Sequence, residues 1–198
     1  TLRSGQKVVV LVRPLDALLP QEDCQATRKA REQPDSYDWM EDCLKLRERD
    51  YEDEMVQILV VINKLKNSNS KLLPQLHHHA IVEGTTENAP RAEFEATRFG
   101  VQVWQQMNTT IENYIKKHRV TRKQFIDNLL PKIQDSCAKL AAVGLSHTDL
   151  HLGNVAFDVD DNGRMSDVVF LDPASIKERL NSQCEAQNLV SVYDEIIL

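Results

Sequence analysis

The stretch that most restricts how this chain can fold is Leu145-Ser-His-Thr-Asp-Leu-His-Leu-Gly-Asn-Val155, read together with Phe170-Leu-Asp-Pro-Ala174. Val155–Phe157 and Val168–Leu171 are apolar runs of strand character. Between them lies an aspartate-rich segment, Asp158 to Asp167, with Asn162-Gly163 at its middle. Asn-Gly is a strong hairpin signal, because both central positions of the favoured turn need a positive φ. A hairpin lays its second strand beside its first. Asn154 enters the first strand and Asp172 leaves the second, so the two side chains are expected in one small volume. His147 and Asp149 stand a short loop ahead of Asn154.

Transfer of a phosphoryl group needs oxygen ligands for Mg²⁺ and a carboxylate that orients the attacking hydroxyl. Asp149 suits the carboxylate role. Asn154 and Asp172 suit the metal, and His147 suits support of the loop better than reaction. The spacing His147-x-Asp149-Leu-x-x-x-Asn154 with a later Asp172 resembles the catalytic loop and metal-binding aspartate of the protein-kinase-like superfamily. The fuller form, His-x-Asp-Leu-His-x-Gly-Asn, is similar to that of aminoglycoside and choline phosphotransferases, and short bacterial effector kinases use related forms. The resemblance implies ATP and Mg²⁺ as cofactors. It also implies an α+β, two-lobed, protein-kinase-like fold. The N-lobe, residues 1–104, would be a small antiparallel sheet with a helix, and the mainly helical C-lobe, residues 105–198, would be abbreviated.

Plainer readings of the same residues exist. Asp158, Asp160, Asn162 and Gly163 match the first half of a calcium loop, but Val169 stands where the closing glutamate belongs and the flanks read as strands. His147 and His151 could bind zinc, yet no cysteine is near and no helical spacing turns them to one side. A chance polar turn, or a kinase-like scaffold without activity, completes the set.

Taken in order, Lys7-Val-Val-Val-Leu-Val-Arg-Pro14 is a nearly continuous apolar run ended by proline, which suits a buried strand. The resemblance asks for a phosphate-contacting lysine on such a strand. None stands inside the run, and Arg13 or Lys7 is the available charge, although arginine does not replace lysine at a compact phosphate site. Ser36 to Lys66 reads as helix, with Met55, Ile58, Leu59, Ile62 and Leu65 as its apolar stripe. By resemblance Glu54, or else Glu52, pairs with the strand cation; an acidic first turn favoured by the helix dipole explains them equally well. His77-His-His79 alternate across an extended strand and do not converge on one metal. Phe99 to Trp104 is a further strand. The resemblance then makes Gln105, Gln106 and Met107 the linker that lines the adenine pocket, with Trp104 behind it or simply in the core. Thr109 or Thr110 can cap the next helix. Thr121 to Val143 is the clearest helix, buried through Phe125, Leu129, Ile133, Cys137 and Leu140, kinked or broken by Pro131 and stopped at Gly144. Ser175 to Leu189 reads as helix and Val190 to Leu198 as a short apolar ending.

Composition enters as a limit on partners. A net charge of -6 argues against a nucleic-acid binder, and no apolar run reaches membrane-spanning length. Four cysteines without metal or redox spacing point to a reducing, cytoplasmic compartment, with an effector delivered into a host cell as the second reading. A glycine-rich phosphate loop is missing, since Gly5 is the only glycine before Gly84. The absence of a long segment after Asp172 favours a minimal kinase, one helped by an activating partner protein. The expectation is therefore a minimal protein Ser/Thr kinase acting on a protein substrate. The alternatives are a small-molecule kinase of the aminoglycoside or choline type, and an inactive kinase-like interaction module.

Overall fold

The computed structural model describes residues 7–15, 38–68, 71–84, 98–159, 165–178 and 189–197. It is α+β, with short antiparallel sheets and helices. The chain forms two compact units, one of Thr1–Val56 with Leu76–Gln105 and one of Gln57–Gln75 with Gln106–Leu198.

In the first unit, β1 (Val8–Pro14), β2 (Leu76–Glu83) and β3 (Arg98–Gln105) make an antiparallel sheet in the order β1–β3–β2. The central strand alternates as a half-covered strand must. Gly100, Gln102 and Trp104 are buried, and Val101 and Val103 only partly so. Helix α1 (Asp38–Asn67) covers the buried face through Tyr51, whose hydroxyl donates to the Val101 carbonyl at 3.0 Å. Gly100 makes that approach possible: a Cβ there would lie 2.5 Å from the Tyr51 ring. Two buried polar groups satisfy each other there, the Trp104 indole N–H donating to Gln102 Oε1 at 2.8 Å. Arg98 grips the Glu48 carboxylate with both terminal nitrogens, Nη2 lying 2.8 Å from Oε1.

The expectation of a buried first strand is corrected. Val10, Leu11 and Val12 are 52–57% exposed. Both faces of β1 are open, and it lies at the edge of the sheet, where among the described residues only β3 pairs with it. Continuous apolarity is the mark of a strand covered on both faces, and here it occurs on one that is not. In β2 a register shift falls between Leu76 and His78, and His78 and His79 are exposed.

The buried stripe of α1 is Tyr51, Met55, Ile58, Val61 and Leu65. Leu59 and Ile62, expected in it, are only half-buried, and Val61 takes the inward place. In the second unit Val61, Leu65 and Leu72 join a core that includes Ile111, Phe125, Phe157 and Phe170. Each large side chain fully buried there contributes about 1.5–3 kcal/mol.

Helix α2 (Ile111–His118) starts where Thr110 Oγ1 accepts the Asn113 N–H at 3.2 Å and ends at Arg119, whose φ is 50°. Helix α3 runs from Arg122–Gln124 through a π-helical stretch, Phe125–Leu129, into Leu130–Ala142. The expected break at Pro131 is thus absorbed. Leu130 donates to the Phe125 carbonyl, five residues back. That wider turn lets the helix pass a residue which has no N–H and whose ring crowds the preceding turn. Gly144, at φ 73°, closes the helix by donating to Ala141 at 2.9 Å.

Two small sheets follow. One pairs β4 (Thr109–Thr110), β6 (Val155–Phe157) and β7 (Val169–Phe170) in the order β4–β6–β7; the other pairs β5 (Leu145–His147) with β8 (Ile176–Glu178). Ile176–Glu178 corrects the helix expected after Ser175, because pairing to β5 overrides local preference. The final helix, α4 (Leu189–Ile197), occupies the apolar ending and inserts Tyr193, which stacks on Phe125 and donates to the Val120 carbonyl at 2.6 Å. No helix among the described residues is long and apolar enough to cross a membrane.

Candidate active site

Strand pairing builds the site in the second unit. Val155 faces Phe170 and Ala156 faces Val169 in the β6–β7 register. One step further out the Leu171 N–H donates to the Asn154 carbonyl at 2.8 Å. Asn154, last residue of the short helical turn Leu152–Asn154, thereby sits beside the point where Asp172 leaves β7. The turn Asn162-Gly163 lies outside the described residues, but Val159 bridges Met165 and the Ser166 N–H donates to the Asp158 carbonyl on either side of it.

Four hydrogen bonds close a ring around this point. His147 Nε2 meets the Leu171 carbonyl at 2.9 Å, and Leu171 in turn holds Asn154. Asn154 Nδ2 donates to the Asp149 carbonyl at 3.1 Å, and the Asp149 N–H donates to His147 Nδ1 at 3.3 Å. An accepting Nδ1 places the imidazole proton on Nε2, where it serves Leu171. Both ring nitrogens are then committed, so His147 is a brace between β5 and β7 and leaves no nitrogen for zinc. The ring brings His147, Asp149 and Asn154 together with the chain immediately before Asp172.

Asp172 has φ 51° and ψ 67°, a left-handed backbone that side-chain-bearing residues adopt at a cost of about 1–3 kcal/mol. Ser175 holds its carboxylate by donating to Oδ2 at 2.6 Å. The Ser175 carbonyl accepts both the backbone N–H and the hydroxyl of Thr148, each at 2.8 Å, which ties the Asp172 turn to the Asp149 loop. Thr148 and Ser175 were not among the residues foreseen; a hydroxyl three positions after Asp172 was the available signal.

The donor set fits Mg²⁺. Asn154 commits its Nδ2 to the backbone, so its carbonyl oxygen is the atom left to offer, and Asp172 has a carboxylate oxygen beyond the one that Ser175 holds. Hard oxygen ligands, few in number and completed by water and phosphate, suit this ion. Among the described residues no group of three or more His, Cys, Asp and Glu is arranged to hold a metal. Asp158 Oδ1 accepts the Asn108 N–H at 2.9 Å and the Asp158 N–H donates to Ser166 Oγ at 2.8 Å, while Asp160, Asn162 and Gly163 of the calcium-like pattern lie outside the described residues.

The remaining foreseen residues divide between the units. Arg13 Nη1 pairs with Glu54 Oε2 at 2.8 Å, half-exposed, while Glu52 and Lys7 are exposed. Gln105 ends β3 in the first unit; Met107, partly buried, belongs to the second. Trp104 is 6% exposed and serves the sheet's buried face.

The model of one protein family, described as the ecdysteroid kinase-like family, matches residues 61–177. That span is more than half of the chain and contains His147, Asp149, Asn154 and Asp172. A comparison with curated proteins gave no match.

Proposed function

This chain belongs to the ecdysteroid kinase-like family, and on that premise we propose that it transfers the γ-phosphoryl group of ATP to a hydroxyl of a small molecule. The family turns the reading away from the protein Ser/Thr kinase and toward the small-molecule kinase that the sequence placed second. The observation that carries the proposal is the closed hydrogen-bonded ring. It gathers Asp149, Asn154 and the approach to Asp172 in one place.

The acceptor hydroxyl binds with its proton toward the Asp149 carboxylate. Its oxygen forms a bond to the γ-phosphorus as the bond to the β–γ bridging oxygen breaks. ADP leaves, and the hydroxyl proton passes to Asp149. Asn154 and Asp172 would hold Mg²⁺, which supplies charge neutralisation on the phosphates when bound.

The test compares wild type with Asp149→Ala. ATP is offered with a panel of small alcohols, ecdysteroids among them, and separately with a peptide mixture. Transfer to a small alcohol should fall by about 10²–10⁴ in the variant. Equal transfer by variant and wild type would remove Asp149 from the chemistry, and transfer to peptides alone would restore the protein-kinase reading.

A further inference from the structure

We infer that His151 is a positioning residue for Asp149, holding that carboxylate in one orientation through an N–H supplied by Nε2. The inference rests on the phosphotransferase reading of Asp149 and assigns a role to a side chain which that reading leaves idle.

His151 lies two residues after Asp149. Its Nδ1 accepts the Gly153 N–H at 3.1 Å. A nitrogen that accepts carries no proton, so the neutral ring carries its hydrogen on Nε2. Nε2 stands 3.9 Å from Asp149 Oδ2. That is longer than a hydrogen bond, but the Asp149 side chain is 67% exposed and turns about two bonds. Catalytic hydrogen bonds are often long before substrate arrives and tighten in the complex. The imidazole is the better anchored of the two. Its Nδ1 is engaged by Gly153, and a Cβ on Gly153 would lie 2.9 Å from its Cε1 and 3.0 Å from its Nδ1, so one edge of the half-exposed ring lies close to that residue. The same Cβ would meet Glu112 Oε2 at 3.1 Å, and Glu112 pairs with Lys116 Nζ at 2.6 Å. The carboxylate is the freer arm beside it.

The consequence is geometric. An exposed carboxylate samples many rotations, and only some present an oxygen to an incoming hydroxyl. One N–H on Oδ2 selects a rotation and leaves Oδ1 for the substrate. Gly153 belongs to the device, because any side chain there displaces the ring.

The test uses the full chain and two readouts. In steady-state transfer to a small alcohol, His151→Ala should lower kcat by about tenfold, the rate equivalent of one hydrogen bond, with KM for ATP unchanged. His151→Gln, whose side-chain amide can offer an N–H, should recover part of that loss, and Gly153→Ala should resemble His151→Ala. An unchanged kcat in His151→Ala, or a raised KM for ATP alone, overturns the inference. The second readout needs no turnover. In protein carrying ¹⁵N-labelled histidine, the His151 ring should show Nε2 protonated and Nδ1 bare, with both signals moved by Asp149→Asn. A ring protonated on Nδ1, or signals indifferent to Asp149→Asn, overturns it. If the wild type phosphorylates no acceptor while the spectrum is as expected, the function proposal fails and the His151–Asp149 contact stands.

Discussion

Replacing Gly100 with alanine should loosen the first unit in a measurable way. The added Cβ would lie 2.5 Å from Tyr51 Cε2 and 2.7 Å from Cδ2 and Cζ. Carbon atoms in contact prefer about 3.5–4.0 Å, so the ring must retreat by about 1 Å. Tyr51 is 2% exposed, so its ring must retreat into packed surroundings. Overpacking of this kind costs about 1–3 kcal/mol. The retreat also breaks the hydrogen bond to the Val101 carbonyl, about 0.5–1.5 kcal/mol more. Alanine recovers about 0.5–1 kcal/mol of backbone entropy relative to glycine. The net loss is therefore about 0.5–4 kcal/mol, to be read from the urea midpoint at constant m-value. Glu54 is one helical turn beyond Tyr51, so the Arg13–Glu54 pair should weaken with it. A shift below about 0.5 kcal/mol, within the range of ordinary surface substitutions, would refute the account. So would an equal loss in a Tyr51→Ala background, where the ring that causes the clash is gone.

Three further outcomes are expected. Ser175→Ala removes the hydroxyl on Asp172 Oδ2 and should weaken Mg²⁺ binding by about tenfold, measured as the Mg²⁺ concentration needed to raise the melting temperature in the presence of ATP. Thr121→Ala breaks a capping box in which Thr121 Oγ1 accepts the Gln124 N–H and Gln124 Oε1 accepts the Thr121 N–H, and should cost about 1 kcal/mol in urea unfolding. Burial, and after it the Glu54 carboxylate, push the Tyr51 phenol above its ordinary value. The folded state then resists an ionisation that the unfolded chain undergoes. The stability due to this group is whole below about pH 10 and is lost as pH rises beyond it, so Tyr51→Phe should flatten the alkaline limb of a stability–pH curve.

Much of the second unit was legible because its signals are local. Thr110 and Gly144 mark helix ends through needs of their own backbone, and the β6–β7 register follows from two apolar runs around a turn. Asn154 and Asp172 converge for that reason alone. The exposure of Val10 and Val12 was not legible, because it depends on what covers the faces of the strand and not on the strand itself. Val61 and Ile62 are adjacent and equally apolar, and only the packing of α1 decides between them. Ile176 pairs with His147 across 29 positions, and a helix-like segment yields to that partner. Pro131 is legible as an obstacle, but the helix passes it through a π-helical stretch, an answer that residue spacing does not announce.

The backbone at Asp172 leans on its neighbour. Glycine would rest easily at a φ of 51°, but Asp172→Gly also gives up the bond from the Ser175 hydroxyl to Oδ2. The strain relieved, about 1–3 kcal/mol, and the charged hydrogen bond lost, about 1.5–3 kcal/mol, are of one size. The exchange should therefore move the melting temperature little while it removes the carboxylate proposed for Mg²⁺, so that one variant separates folding from metal binding.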